Sequence, residues 1–301
     1  MNYRIADTTS SSDFASRINS QKSRLNILNE RLTTGKRINR PSDDPGGAEI
    51  VLGLRTSQTE ITQFQRSTQA ANQKLTAADD TLNSYETILE RVRTLVTQGL
   101  SDTTTQDARN ALATEIDTLR TRILNIANST NNGEYLFGGT RQNVPPFDPT
   151  TGVPAATPAA AQFVQIEPGA NAVPVGVTAD TIFKDATSTI FTDLTAATTA
   201  LRGTGNTATD RTTLEATSAR LGIYTGLVNN GRAIVGANMN AADIAKDNLS
   251  ANFLSFDERA NDIEDADFAA TAVALTDAQR SLDATLQVAA KGRRSLFDFL
   301  G

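Results

Sequence analysis

Residues 50–96 read IVLGLRTSQTEITQFQRSTQAANQKLTAADDTLNSYETILERVRTLV. Within this stretch Ile50, Leu54, Ser57, Ile61, Phe64, Thr68, Ala71, Leu75, Ala78, Leu82, Tyr85, Leu89, Val92 and Val96 recur at alternating gaps of four and three. No Pro interrupts the run, and its one Gly is Gly53. Such spacing holds one stripe on one face of an α-helix, the pattern of a coiled-coil seam. At ~1.5 Å per residue the helix is about 70 Å long, far beyond the typical globular length of ~10–14 residues. A rod with one apolar stripe needs packing partners along its whole length.

Working outward toward the start, Phe14, Ile18, Gln21, Leu25, Leu28 and Leu32 form a second stripe of the same spacing, with one polar exception. Thr33-Thr34-Gly35 closes it, since Gly supplies the left-handed conformation that ends many helices. Arg40-Pro41-Ser42-Asp43-Asp44-Pro45 then reads as a turn and a new start, with Asp44 as cap and Pro45 in the first helical position. Toward the end, a third helix follows Gly99 and the capping-type Ser101-Asp102, carrying Leu112, Ile116, Leu119, Ile123 and Ile126. Asn131-Asn132-Gly133 is turn chemistry, and the segment from Glu134 to Thr140 reads as a short strand ending in a Gly bend.

Residues 141–203 hold most of the prolines and few charges, with short runs such as Phe163-Val164-Gln165-Ile166 and Val173-Pro174-Val175. They read as a small β-rich insert. Gly203-Thr204-Gly205-Asn206 marks the return to helix, and Leu214, Leu221, Tyr224, Val228 and Val235 stripe a long one. Its glycines Gly222, Gly226, Gly231 and Gly236 allow close approach or local weakness. After Phe256 a final helix shows Phe268, Ala272, Leu275, Gln279, Leu282, Leu286, Ala289, Arg293 and Leu296.

The fold class expected is mainly α: long antiparallel coiled-coil helices from both chain termini, with a small β-rich insert between them. Three domains follow. Residues 1–40 with 268–301 form a terminal coiled-coil domain, disordered in the monomer; 41–140 with 204–267 form a helical rod; 141–203 form an outer insert. The long stripes read as intramolecular core. The terminal ones read as intersubunit contacts, because turns cut them off from the rod and a helix pair buries only one stripe of each member. The expected assembly interface is Phe14, Ile18, Leu25, Leu28, Leu32, Phe268, Leu275, Leu282, Leu286 and Leu296.

Composition excludes several functions. The formal net charge is -6, so no overall positive field draws nucleic acid. The sequence has no Cys and no His, which removes thiolate nucleophiles, disulfides, the commonest general base and the commonest zinc ligands. No catalytic residue, cofactor site or metal site is expected. No stretch has the ~18–20 apolar residues of a membrane span, and the start lacks the apolar run of a cleaved signal. Taken alone this reads as cytosolic, and it also fits export by a route that does not cleave a signal.

Leu25 to Ala48, with its Thr34-Gly35-Lys36-Arg37-Ile38-Asn39 core and the restart after Asp43-Asp44, resembles the N-terminal signature of the flagellin superfamily. The stretch from Ile263 to Phe268 and the stripe after it are similar to that family's C-terminal signature. Arg40-Pro41-Ser42-Asp43-Asp44-Pro45, the segment from Gly133 to Thr140, and the closing Ser295-Leu296-Phe297-Asp298-Phe299-Leu300 tilt the resemblance toward the branch at the hook–filament junction. The Asn2-Tyr3 start and Gly46-Gly47 depart from the pattern.

The resemblance implies a secreted, non-catalytic subunit of the extracellular bacterial flagellum. Its implied partners are like subunits in a ring or helical layer, the preceding hook-associated protein, flagellin, an export chaperone and the type III export apparatus. A filament flagellin with a small outer domain is the alternative in the same class, and a surface adhesin the alternative outside it.

Other features have plainer readings. Asp43 and Asp44 serve as helix capping rather than as a metal pair, and Gly138-Gly139 and Gly203-Thr204-Gly205 are turns rather than phosphate loops. Lys291, Arg293 and Arg294 complement a helix C-terminus. The acidic run from Asp257 to Asp267 is a solvated face, or alternatively a dock for a basic export factor.

Overall fold

The computed structural model describes the backbone of residues 3–169, 172–203 and 207–300 and, within these, the side chains of residues 12–288. Expectations placed on Leu296, on the Lys291, Arg293 and Arg294 cluster, on the closing signature and on Thr204 to Asn206 fall outside the described residues. The elements run α1 (Tyr3–Thr34), α2 (Pro45–Gly99), α3 (Gln106–Ala127), β1 (Thr130–Asn131), β2 (Glu134–Tyr135), β3 (Phe163–Val164), β4 (Val173–Pro174), α4 (Ala179–Ile182), α5 (Ile190–Arg202), α6 (Ala208–Glu264) and α7 (Phe268–Leu300). The chain is mainly α, and its strands form two small antiparallel pairs, β1 with β2 and β3 with β4.

Two compact units divide the chain. One joins residues 1–60 to 252–301, and the other is 61–251. The cuts fall inside α2 and α6, away from the expected boundaries near 40 and 268.

In the 61–251 unit the α2 stripe is buried from Ile61 to Val96, with Leu75, Leu82, Tyr85, Leu89 and Val92 at its centre. Leu214, Leu221, Tyr224, Val228 and Val235 of α6 share that core, as do Ile116 and Ile123 of α3. A Leu side chain fully withdrawn from water contributes roughly 1.5–3 kcal/mol, so these stripes dominate the unit's stability. Helix α3 starts later than the sequence suggested. Thr105, not Ser101 or Asp102, is its cap and accepts the Ala108 N–H at 3.3 Å. The β1–β2 hairpin turns on Asn132 and Gly133, both at positive φ, the conformation an Asn-Gly hairpin favours.

Residues 141–203 correct the expected insert. They are not an outer β-rich domain. Only two residues of each strand pair there, whereas Ile190–Arg202 is helix α5, capped by Thr189 accepting the Thr192 N–H at 3.2 Å. Phe147, Phe183, Phe191, Leu194 and Leu201 lie in the same core as Leu82 and Leu221. Phe183 sits at the centre of the aromatic packing, 4.6 Å from Tyr85 and 5.6 Å from Phe137 between ring centroids. Aromatic side chains supply large buried areas, so these few rings tie the segment to the helices. Among the α6 glycines, only Gly231 marks a close approach: a Cβ there would strike Ile182, while Gly222, Gly226 and Gly236 face open space.

Candidate assembly interface

Helices α1 and α7 pack on each other. Thr34 and Phe268 meet at the linkers that follow and precede them, so the two run antiparallel. On α1 the stripe expected at an intersubunit contact faces α7 of the same chain: Phe14, Ile18, Gln21, Leu25 and Leu32 are half-buried and Leu28 is 8% exposed. On α7 the contact face is Thr271, Leu275, Ala278, Leu282 and Thr285, with Ala278 6% exposed. This face keeps the alternation of four and three and shares Leu275 and Leu282 with the expectation, but it is turned away from Phe268 and Leu286. Those two are 67% and 44% exposed, and Val273 and Val288 are exposed with them. A groove beside the pair is floored by Ala269, Ala270, Ala274 and Ala278 and edged by Gln21 and Arg24. Ala278 and the two threonines alternate with Leu275 and Leu282 on the contact face, while Phe268, Val273, Leu286 and Val288 are left exposed.

At the base of the pair the two linkers cross. Gly35, at φ 72°, closes α1, and its carbonyl accepts the Ala266 N–H at 2.8 Å. Lys36 and Asp265 form an antiparallel bridge, and the Arg37 N–H donates to the Glu264 carbonyl at 2.6 Å. The Arg37 guanidinium donates to the Ile263 carbonyl at 2.8 Å and to Asp44 at 3.1 Å. Both carbonyls belong to the last turn of α6, where carbonyls have no partner within the helix. Ile38 is buried, and a Cβ at Gly47 would come 2.7 Å from the side-chain ends of Ile38 and Asp44, so that one of them would have to move.

Carboxylates hold this crossing. Glu264 accepts from Lys36 at 2.6 Å and from Arg55 at 3.2 Å. Arg55 also reaches Asp257 at 2.9 Å, where Gln58 donates at 3.1 Å. Burial pushes the Glu264 pKa up, but hydrogen bonds from Lys36 and Arg55 outweigh it and hold the carboxyl below its ordinary range. Asp257 is lowered first by the Gln58 bond and then by Arg55. Asp44 is lowered by the Gly47 N–H it caps, 3.0 Å away, and then by Arg37.

Asp44 therefore caps α2 as expected. The acidic run read as a solvated face thus includes Glu264, which is 13% exposed and paired with Lys36 and Arg55, and the sequence reading gave no role to Arg37 or Arg55, whose bonds to α6 span more than two hundred residues of chain. Among the described residues no group of His, Cys, Asp or Glu is placed to hold a metal ion, and no helix is long and apolar enough to cross a membrane.

The family model described as the bacterial flagellin N-terminal helical region matches residues 5–142. Flagellar hook-associated protein 3 of Salmonella typhimurium is 33% identical over 126 residues, which are 42% of this chain and 40% of that protein. The protein of the same name from Escherichia coli is 31% identical over 160 residues, 53% of this chain and 50% of that one. The chain thus spans half or less of the length of these curated relatives. The crystal structure of the flagellar junction protein FlgL from Legionella pneumophila aligns with a TM-score of 0.58 at 14% identity, over 72% of this chain and 100% of that one. At that identity the likeness concerns the fold. Residues 5–142 of this chain accordingly match the bacterial flagellin N-terminal helical region, carried in a fold similar to that of a flagellar junction protein.

Proposed function

We propose that the protein is a non-catalytic structural subunit of the bacterial flagellum that forms the layer joining the hook to the flagellin filament. The observation that carries this reading is the α1–α7 pair. It leaves Phe268 and Leu286, which share one face of α7, exposed together with Val273 and Val288, apolar surface that a lone subunit leaves in water and that packing against neighbours would bury. The flagellin-type N-terminal region and the names of the relatives support the same reading.

The contact surface then has two layers. Phe14, Ile18, Leu25, Leu28, Leu32, Leu275 and Leu282 hold the arms together, while Phe268 and Leu286 face the neighbouring subunit. The terminal arms order as they are buried, so polymerisation and folding are coupled. The partners are further copies of the chain, the preceding hook-associated protein and flagellin. An export chaperone and the type III export apparatus deliver it to the extracellular appendage.

Electron microscopy of cells lacking the protein tests this. Intact hooks without filaments, with flagellin monomers in the medium, are expected. Normal filaments would overturn the reading, and hooks without filaments but with no flagellin anywhere would instead identify the protein as the filament subunit itself.

A further inference from the structure

The linker crossing ties the ends of two helices from opposite ends of the chain in both directions. Gly35, the residue that ends α1, has its carbonyl bonded by Ala266 from the C-terminal linker. Ile263 and Glu264, which end α6, have theirs bonded by Arg37 and Ile38 from the N-terminal linker. Neither helix end is completed by its own following residues alone. We propose that this crossing is a reciprocal latch, in which the N-terminal linker caps the end of α6 while the C-terminal linker holds the carbonyl of Gly35, the residue that closes α1, so that the N-terminal and C-terminal junctions open and close as one unit.

Three features support a device rather than incidental contact. Backbone bonds run both ways across the crossing, at 2.6 Å from Arg37 to Glu264 and 2.8 Å from Ala266 to Gly35. Glu264 is shared, since its carboxylate joins Lys36 of the linker to Arg55 of α2 while its carbonyl receives the linker backbone. The charges then balance locally, with Lys36, Arg37 and Arg55 facing Asp44, Asp257 and Glu264. A guanidinium bond to a helix end is lost when its donor leaves, and the carbonyl it served must find water instead. Opening on one side therefore exposes unsatisfied groups on the other. This coupling is a property of the single chain and stands whether or not the assembly reading does.

Amide exchange by mass spectrometry on the full-length monomer tests it, with each variant read at the linker it does not alter. Arg37→Ala and the milder Arg37→Lys, which keeps the charge but loses the fork, should speed exchange about tenfold at residues 262–266. Ala266→Pro, which removes the N–H given to Gly35, should do the same at residues 35–38. Amides around Leu82 and Tyr224 should not change in any of them. Acceleration confined to the altered linker would overturn the latch. So would a uniform acceleration across the 61–251 unit, which would make the residues ordinary contributors to global stability.

Discussion

Tyr224 donates a 2.8 Å hydrogen bond to Asp193, joining the middle of α6 to the first turn of α5. Asp193 is itself buried and also accepts from Ser188 at 2.8 Å and from Arg220 at 3.1 Å. Burial raises the Tyr224 pKa, and the bond to Asp193 raises it further, so the phenol stays protonated and remains a donor. Removing only the hydroxyl with Tyr224→Phe should cost about 1 kcal/mol, the usual net value of one such bond. Asp193→Ala should cost about 3 kcal/mol, because it strands the Arg220 charge and two hydroxyls at once. Urea midpoints followed by helical circular dichroism would separate the two; equal effects would mean that Asp193 acts through Tyr224 alone.

The same core makes residues 141–203 indispensable to the unit that holds them. Replacing them with a short Gly/Ser linker would remove Phe147, Phe183, Phe191, Leu194 and Leu201 from the packing around Leu82 and Leu221. Loop length itself costs little, so the loss is one of buried area. The altered chain should lose cooperative thermal unfolding. A sharp transition at the original temperature would show that α2, α3 and α6 are sufficient.

This is also where the sequence was least legible. The stripes of α2 and α6 were readable because one apolar face persists over many turns: apart from half-buried Phe64, every residue named on them from Ile61 onward is buried, while Leu54 and Ser57 are half-buried and Ile50 is exposed. Helix α5 carries the same signal in Ile190, Phe191, Leu194, Ala197 and Leu201 behind the Thr189 cap, but its thirteen residues follow a Pro-rich stretch that reads as irregular. On α7 the large side chains of Phe268 and Leu286 suggested the buried face, whereas close helix packing selected Thr271, Ala278 and Thr285. The roles of Arg37 and Glu264 depend on partners distant in sequence, which no local pattern reveals.

Two substitutions separate core from contact surface. Leu89→Asp places an unpaired carboxylate at a site 1% exposed and should destabilise the monomer by more than about 4 kcal/mol. Phe268→Asp changes an exposed position and should leave the monomer melting temperature within about a degree, since surface changes are usually within ±0.5 kcal/mol. Under the assembly reading, Phe268→Asp should still block attachment of filaments to hooks. Normal motility of that strain would remove Phe268 from the interface.

Acid should loosen the linker crossing. Asp44, Asp257 and Glu264 all have folded-state pKa values below their ordinary ones. Such groups contribute stability that is fully present above the unfolded-state pKa of about 4 and is lost as pH falls through the lower folded values. Exchange at residues 35–38 and 262–266, corrected for intrinsic pH dependence, should therefore be unchanged from pH 7 to 5 and rise below about pH 4. Glu264→Gln should shift part of that loosening to neutral pH. A rise already complete at pH 5 would point to other groups.

The last expectation concerns when the arms become ordered. Among the described side chains of the α1–α7 pair only Leu28 and Ala278 are buried, and the rest of the contact face is half-buried. A half-buried Leu contributes about half of the ~2 kcal/mol that full burial gives, while each ordered residue costs about 1–2 kcal/mol of backbone entropy. The balance is poor for two helices of 32 and 33 residues standing apart from further neighbours. In the purified monomer, amide exchange should be fast over residues 3–34 and 268–300 and slow around Leu82, Leu89 and Tyr224, with the latch at 35–38 and 262–266 marking the change. Binding to neighbouring subunits should then slow exchange in the arms alone. A chain trimmed to residues 35–267 should keep its core melting behaviour yet fail to join filament to hook, because both contact stripes are gone. Strong protection of both arms in a monomer verified by sedimentation would mean that the pair is complete by itself, and the coupling of folding to assembly would fall with it.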